Sequence, residues 1–264
     1  MTGTSAPVEH LPRTGNYRLV TLWGLPLRIM HWSAAVSIVV LAVTGLYIGK
    51  PYFMTSGEAS SHFLMGWMRF LHFAAAGLLV MTALVRVYWL IAGNRYERWK
   101  ALVPYHRRDL KNLVRQGRAY LLVRPEDAPA YLGHNPLQQI SYTGLYLVAL
   151  IQVVTGFAMY GQYNSASLFY RAFNWIGPLL GGMPNVRFLH HEITWIFAIY
   201  VPIHVYMSIR ADVLEHNSTI SSIVTGGRVV PAGRAFQSGS RVRIPARTSV
   251  TVSPVKARWP LNIS

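Results

Sequence analysis

Four stretches of this chain are apolar for longer than a soluble core helix requires, and they restrict the fold more than any other feature. Leu25 to Gly49 reads LPLRIMHWSAAVSIVVLAVTGLYIG with one charge, Arg28, near its start, and it exceeds the about 20 residues needed to cross a hydrocarbon core. Leu64 to Gly93 carries Arg69 and Arg86 near its two ends, Ile140 to Tyr160 has no charge, and Phe188 to Ile209 has only Glu192. The pattern predicts an all-α integral membrane protein with a four-transmembrane-helix bundle. The first run is too long for a cleavable signal, and no small-residue cleavage pattern precedes a soluble domain, so it is expected to remain as a span.

Composition agrees. Of 264 residues, 52% are apolar and 13% charged, which excludes a disordered chain or a coiled coil. With no cysteine, disulfides, thiolate-held iron–sulfur clusters, cysteine zinc sites and covalently attached c-type haem are excluded. The 25 Lys and Arg outnumber the 9 Asp and Glu, a balance that in a soluble protein suggests nucleic acid. Their placement argues otherwise. Three precede or open the first span (Arg13, Arg18, Arg28), nine lie between Asn94 and Gln139, and eight follow from Arg210 onward. The opposite side holds four: Lys50, Arg69, Arg171 and Arg187. Basic loops stay in the cytoplasm, so the count predicts cytoplasmic N and C termini and contact with anionic membrane lipid rather than nucleic acid.

The expected organisation is a cytoplasmic N-terminal segment (1–24), a four-helix domain (25–230) and a basic, flexible cytoplasmic tail (231–264) without apolar periodicity from Val230 onward. His106 to Leu122 mixes basic and apolar residues as a surface helix would, lying either on the inner leaflet or in solvent. Val43-Thr44-Gly45 in the first span is echoed by Val154-Thr155-Gly156 in the third. Both fall near the outer face, where small residues let a bulky group or a helix approach.

Five histidines lie within the spans, where ionisable groups are costly and mark function. Depth sorts them. His31, at the cytoplasmic start of the first span, matches His204 near the inner end of the fourth. His72, at the outer start of the second, matches His190 at the outer start of the fourth. His190 and His204 are 14 residues apart, within about 40° of one helix face and about 21 Å apart, whereas His191 lies about 140° off that face. The remaining histidines (His10, His62, His106, His134 and His216) fall in loops or tails.

Imidazole pairs at two depths suit two haem irons better than one tetrahedral zinc. With both axial positions filled, the expected job is electron transfer across the membrane rather than catalysis at iron. Arg28, Arg69 and Arg187 each precede a candidate ligand by three residues, one turn toward the interface, where each reads either as a haem propionate partner or as a snorkelling arginine. Gly45 and Arg86 follow His31 and His72 by 14 residues and so belong to the surroundings of the other layer's cofactor.

The motifs LPLRIMHW, GEASSHFLMGWMRFLHF, YLGHNPLQ, TGFAMYG, FLHHEITW and IHVYMSIRADV, spread from about Val20 to Val230, resemble those of the b-type cytochrome subunit of membrane-bound nickel–iron hydrogenases. The resemblance implies a four-helix protein with two b-type haems on His31, His72, His190 and His204, multi-pass in the cytoplasmic membrane. It would anchor the hydrogenase small and large subunits at the periplasmic side and carry electrons from the small-subunit iron–sulfur clusters to quinone, without activating hydrogen itself. Related cytochromes place quinone near the inner haem, which makes His134 and Asn135, in Gly133-His134-Asn135-Pro136, candidates for contacting it; the alternative is a turn before a helix. The long basic tail and Glu192 depart from the pattern. Two rivals stay open: the same module serving formate dehydrogenase or thiosulfate reductase, and a histidine-based metal transporter.

Overall fold

The structure, a computed structural model, describes residues 17–53, 62–122, 129, 131–215 and 219–231. The N-terminal residues with His10, His216 and the basic tail beyond residue 231 lie outside the described residues. In chain order the elements are β1 (Tyr17–Thr21), α1 (Leu25–Gly49), α2 (Leu64–Ala92), a short 3-10 turn at Trp99–Ala101, α3 (Arg107–Leu121), α4 (Pro136–Gly161), α5 (Leu168–Phe173), α6 (Ile176–Leu179), α7 (Met183–Glu215), α8 (Thr219–Thr225) and β2 (Gly227–Pro231).

Four helices, α1, α2, α4 and α7, are long and apolar enough to cross a membrane. α1 packs on α2 and on α7, and α7 packs on α4. Their side-chain arrangement inverts that of a soluble bundle. Large apolar residues such as Val43, Leu84, Leu147 and Ile199 face outward, while Ser37, Thr44, Thr155 and Thr194 are buried. Lipid tails are as apolar as a leucine core, so such helices associate through small residues and hydrogen bonds rather than by hiding leucines.

Helix ends account for differences from the apolar runs. α4 starts four residues before Ile140 because Asn135 forms a capping box with Gln138 and Pro136 occupies the first turn, signals that hydropathy does not register. α7 continues past Ile209 to Glu215, through Arg210 and Asp212, which end the apolar run without ending the helix. Within α7, Pro202 cannot give the backbone hydrogen bond that residue 198 would accept, two residues before His204.

One feature was not expected of an all-helical chain. β1 and β2 pair as an antiparallel ribbon, Tyr17 opposite Pro231 and Thr21 opposite Gly227, so the strand takes in Val230 and Pro231, where the tail was expected to begin. Leu22 and Trp23 both donate backbone hydrogen bonds to the Gly226 carbonyl, at 2.9 and 3.0 Å. Gly226 has φ +89° and a Cβ there would meet the Trp23 carbonyl oxygen at 2.7 Å, so the corner requires glycine on two counts. Leu22, Tyr96, Leu132 and Val230 form a small core under the ribbon. Beside it Glu97, 1% exposed, accepts from Gly24 N (2.5 Å), Trp89 Nε1 (2.9 Å) and Asn94 N (3.1 Å). Three donors compensate a carboxylate that would otherwise be costly to bury.

α3 shows three faces. Asp109, Asn112, Gln116 and Ala119 are buried, with the Tyr131 hydroxyl receiving from Asn112 (2.8 Å) and donating to Asp109 (3.0 Å). Leu110, Val114 and Leu121 are exposed, and Lys111, Arg115 and Arg118 occupy the remaining side.

Candidate functional site

The five span histidines come from three helices. His72, near the start of α2, lies at the end of the bundle away from the ribbon. Its Nδ1 is 2.9 Å from the Thr44 hydroxyl on α1. His190, on α7, has Nδ1 2.9 Å from the Thr155 hydroxyl on α4. Each threonine oxygen also lies close to a carbonyl one turn back: Val40 O at 2.6 Å for Thr44 and Ile151 O at 2.8 Å for Thr155. Two oxygens approach that closely only with a hydrogen between them. The single hydroxyl proton is therefore spent on the helix carbonyl, and the hydroxyl oxygen accepts from imidazole Nδ1–H. Both rings are thereby held as the tautomer whose Nε2 carries the free lone pair.

The glycine after each threonine completes the cradle. A Cβ on Gly45 would stand 3.1 Å from His72 Cε1, and one on Gly156 would stand 3.2 Å from His190 Cε1. The repeated Thr-Gly thus does one job twice, on α1 for a histidine of α2 and on α4 for a histidine of α7. Gly45 makes room for the imidazole itself. His191 packs over Gly49, where a Cβ would meet its ring at 3.0 Å, and edge-on to Trp195. Glu192 is exposed.

At the ribbon end, the rings of His31 on α1 and His204 on α7 are 6.3 Å apart between centres, tilted by 49°. Two imidazoles bound through nitrogen to opposite sides of one metal, at about 2.0–2.1 Å each, would have ring centres about 6 Å apart, so the spacing fits axial ligation of a single iron. His31 Nδ1 is buried without a hydrogen-bond partner. Tyr200 stacks on His204 (5.8 Å, 11°) and Tyr142 meets it edge-on at 6.2 Å. The sequence reading singled out neither tyrosine; their spacing of four before His204 and their place inside α4 were the only signals.

The arginines separate. Arg28 donates to the Val224 carbonyl at the end of α8 and its Nε is buried without a partner. Arg69 and Arg187 are exposed. Arg86 is buried; it donates to the Glu97 carbonyl (3.1 Å) and the Tyr146 hydroxyl (3.3 Å), leaving Nη1 buried and unpartnered.

His134 and Asn135 differ in the same way. Asn135 accepts from Gln138 N at 2.9 Å and donates to the Tyr120 hydroxyl at 3.0 Å, so its polar atoms serve the start of α4. His134 lies between Trp23 (4.8 Å) and Tyr142 (5.0 Å), with Nδ1 buried and unpartnered. Burial, helped by the nearby Arg86 guanidinium, lowers its pKa to about 4, so it is neutral at pH 7.

Among the described residues no three His, Asp or Glu side chains converge on a point. Facing imidazoles at one end, and rings with presented Nε2 atoms at the other, suit flat cofactors bound through axial nitrogens.

Comparison with known proteins points the same way. The pattern of the family described as prokaryotic cytochrome b561 matches residues 22–226. The chain is 42% identical to the probable Ni/Fe-hydrogenase B-type cytochrome subunit of Azotobacter vinelandii, over 80% of this chain and 88% of that protein. It is 40% identical to the protein of the same description from Cupriavidus necator, over 77% and 84%. It is 34% identical to the probable Ni/Fe-hydrogenase 1 B-type cytochrome subunit of Escherichia coli K12, over 77% and 88%.

Proposed function

The chain belongs to the prokaryotic cytochrome b561 family, and from that premise we propose how its four spans are used. It is the B-type cytochrome subunit of a Ni/Fe hydrogenase, a multi-pass membrane protein for electron transfer. The family implies b-type haem. We assign two, one to His72 with His190 and one to His31 with His204. The observation that carries this assignment is the 6.3 Å spacing of His31 and His204 at one depth, with two rings held for ligation through Nε2 at the other.

When bound, a b haem held by these histidines would supply one-electron reduction and reoxidation rather than a site for substrate. The chain's own residues supply position and surroundings. Thr44 and Thr155 orient their histidines. Tyr200 and Tyr142 wall His204 against water. Arg69 and Arg187, exposed one turn toward the interface from a ligand, are candidates to meet propionates, as is Arg28 through the Nε that its bond to Val224 leaves without a partner, and Arg86 offers an unpaired guanidinium nitrogen at the ribbon end.

The basic-residue count supports a cytoplasmic ribbon end, with the end bearing His72 and His190 at the periplasmic face against the hydrogenase small and large subunits. Quinone is then the acceptor at the ribbon end. His134, neutral and linked by ring contacts through Tyr142 to His204, is its candidate proton partner, with Asn135 shaping the turn. α3 lies on the inner leaflet with its apolar face in lipid and its basic face toward headgroups. The similarity to hydrogenase cytochrome subunits favours that partner over formate dehydrogenase or thiosulfate reductase, and electron transfer over metal transport.

The test is spectroscopic. Purified full-length protein should give a dithionite-reduced b-type spectrum and a pyridine haemochrome corresponding to two haems per chain; no haemochrome signal would refute the cytochrome assignment. His72→Ala or His190→Ala should remove one haem and His31→Ala or His204→Ala the other. Equal loss of both in every variant would refute the pairing.

A further inference from the structure

We propose that Thr44 and Thr155 are matched positioning residues that set the reduction potential of the periplasmic-side haem by accepting a hydrogen bond from each of its axial histidines. The proposal rests on the haem assignment above and adds to it what the bracing does.

The geometry is the same on both sides of that layer. Thr44 Oγ1 and Thr155 Oγ1 each lie 2.9 Å from a histidine Nδ1. Each hydroxyl proton is already committed to a carbonyl of its own helix, at 2.6 and 2.8 Å, so neither threonine can turn to donate to the ring. Each is 3% or less exposed, so water does not compete for the bond. Gly45 and Gly156, the following residues, let the rings approach. The arrangement is a dipeptide used twice, on α1 for a histidine of α2 and on α4 for a histidine of α7, the two residues that would hold one cofactor. The other layer differs, since His31 Nδ1 is buried without a partner.

Chemistry follows from direction. An Nδ1–H that donates to a fixed oxygen leaves more electron density on Nε2, making the imidazole a more basic ligand. A more basic ligand favours the ferric over the ferrous state and lowers the potential. The acceptor here is a neutral hydroxyl rather than a carboxylate, so each bond moves the potential modestly, and the two add on one iron. Threonine supplies this without placing a charge in the bilayer.

The experiment uses the full-length protein with its haems in place, and reads potentials, electron paramagnetic resonance and haem content rather than turnover. Thr44→Val and Thr155→Val keep shape and remove the hydroxyl acceptor, leaving only the Leu41 and Gln152 carbonyls beside the two rings; Thr44→Ser and Thr155→Ser keep it. In an equilibrium redox titration, each valine variant should move one of the two haem components to higher potential and leave the other in place. The double variant should move it further, and the serine variants should stay near wild type. Each tenfold change in the ratio of ferrous to ferric ligation corresponds to about 59 mV for one electron. The largest g value of one low-spin ferric signal should change in the valine variants only. Loss of one haem from both valine variants would show that the threonines only hold the histidines in place, and would overturn the proposal. Valine variants with two haems, unshifted potentials and unchanged g values would overturn it, as would serine variants that behave like valine. Wild-type protein without haem would instead overturn the cofactor assignment itself, so the two failures are distinguishable.

Discussion

Replacing Gly45 with alanine places a methyl carbon 3.1 Å from Cε1 of His72, and Gly156→Ala places one 3.2 Å from Cε1 of His190. Ordinary contact begins near 3.4 Å, so each ring must retreat by a few tenths of an ångström. The ring is not free to do so, because Nδ1 is held at 2.9 Å by the preceding threonine. Retreat stretches that bond or swings Nε2 off its axis. Helix stability moves the other way, since Gly→Ala inside a helix gains about 1 kcal/mol. Perturbing a metal ligand's support costs about 10–100-fold in affinity. The two effects therefore separate: the bundle should be as stable as before or more so, while, on the two-haem assignment proposed above, one haem is lost or weakened about 10–100-fold. Gly77→Ala is the control, because a Cβ there meets nothing within 4 Å; it should gain the helix term and keep both haems. The assay is pyridine haemochrome per chain, with the melting temperature measured on the same samples. Gly45→Ala and Gly156→Ala proteins that retain two haems as firmly as Gly77→Ala would refute the cradle.

Three further outcomes are expected. His134 has its pKa lowered to about 4 from 6.5, so its contribution to stability is full above about 6.5 and is lost as pH falls toward 4; His134→Asn should flatten that part of a stability-versus-pH curve, and an unchanged curve would contradict the burial. Gly226→Ala forces a left-handed residue, costing about 1–2 kcal/mol, and drives its Cβ to 2.7 Å from the Trp23 carbonyl; limited proteolysis should then cut near the ribbon while haem content stays constant. The chain has no cysteine, so Val114→Cys or Leu121→Cys gives a single labelling site, whose fluorescence should be quenched by brominated lipid if α3 lies on the leaflet and untouched if it stands in solvent.

Much of the fold was legible because hydrocarbon tolerates few sequences. The start of α1 at Leu25 and of α2 at Leu64 follow directly from where charge and turn residues stop. The ends of α4 and α7 were less visible, since Asn135, Pro136 and Gln138 start a helix by capping rather than by apolarity, and Arg210 to Glu215 continue one past the end of its apolar run. The ribbon was hidden because its strands are five residues each and lie near opposite ends of the described chain, too short for periodicity and too distant for a hairpin signal. At the site, the closeness of His31 and His204 could be read from their matching depths. The Thr-Gly echo was visible as a repeat, but not its partners, because which face of α1 meets α2 is decided by packing between helices. Glu97 showed no sign of burial: its three donors come from Gly24, Trp89 and Asn94, and their convergence exists only once the loop after α2 has closed on the start of α1.

The antiparallel ribbon also orders events during synthesis. β1 emerges from the ribosome before any of these four spans has entered the bilayer, yet its partner is made only after the fourth is complete. Until then the edge of β1 has nothing to pair with, and the Gly226 carbonyl that receives Leu22 and Trp23 does not yet exist. Closure of that clasp is thus a signature of finished insertion, and a chain truncated before Gly226 should leave its first strand exposed to the proteases that clear incomplete membrane proteins.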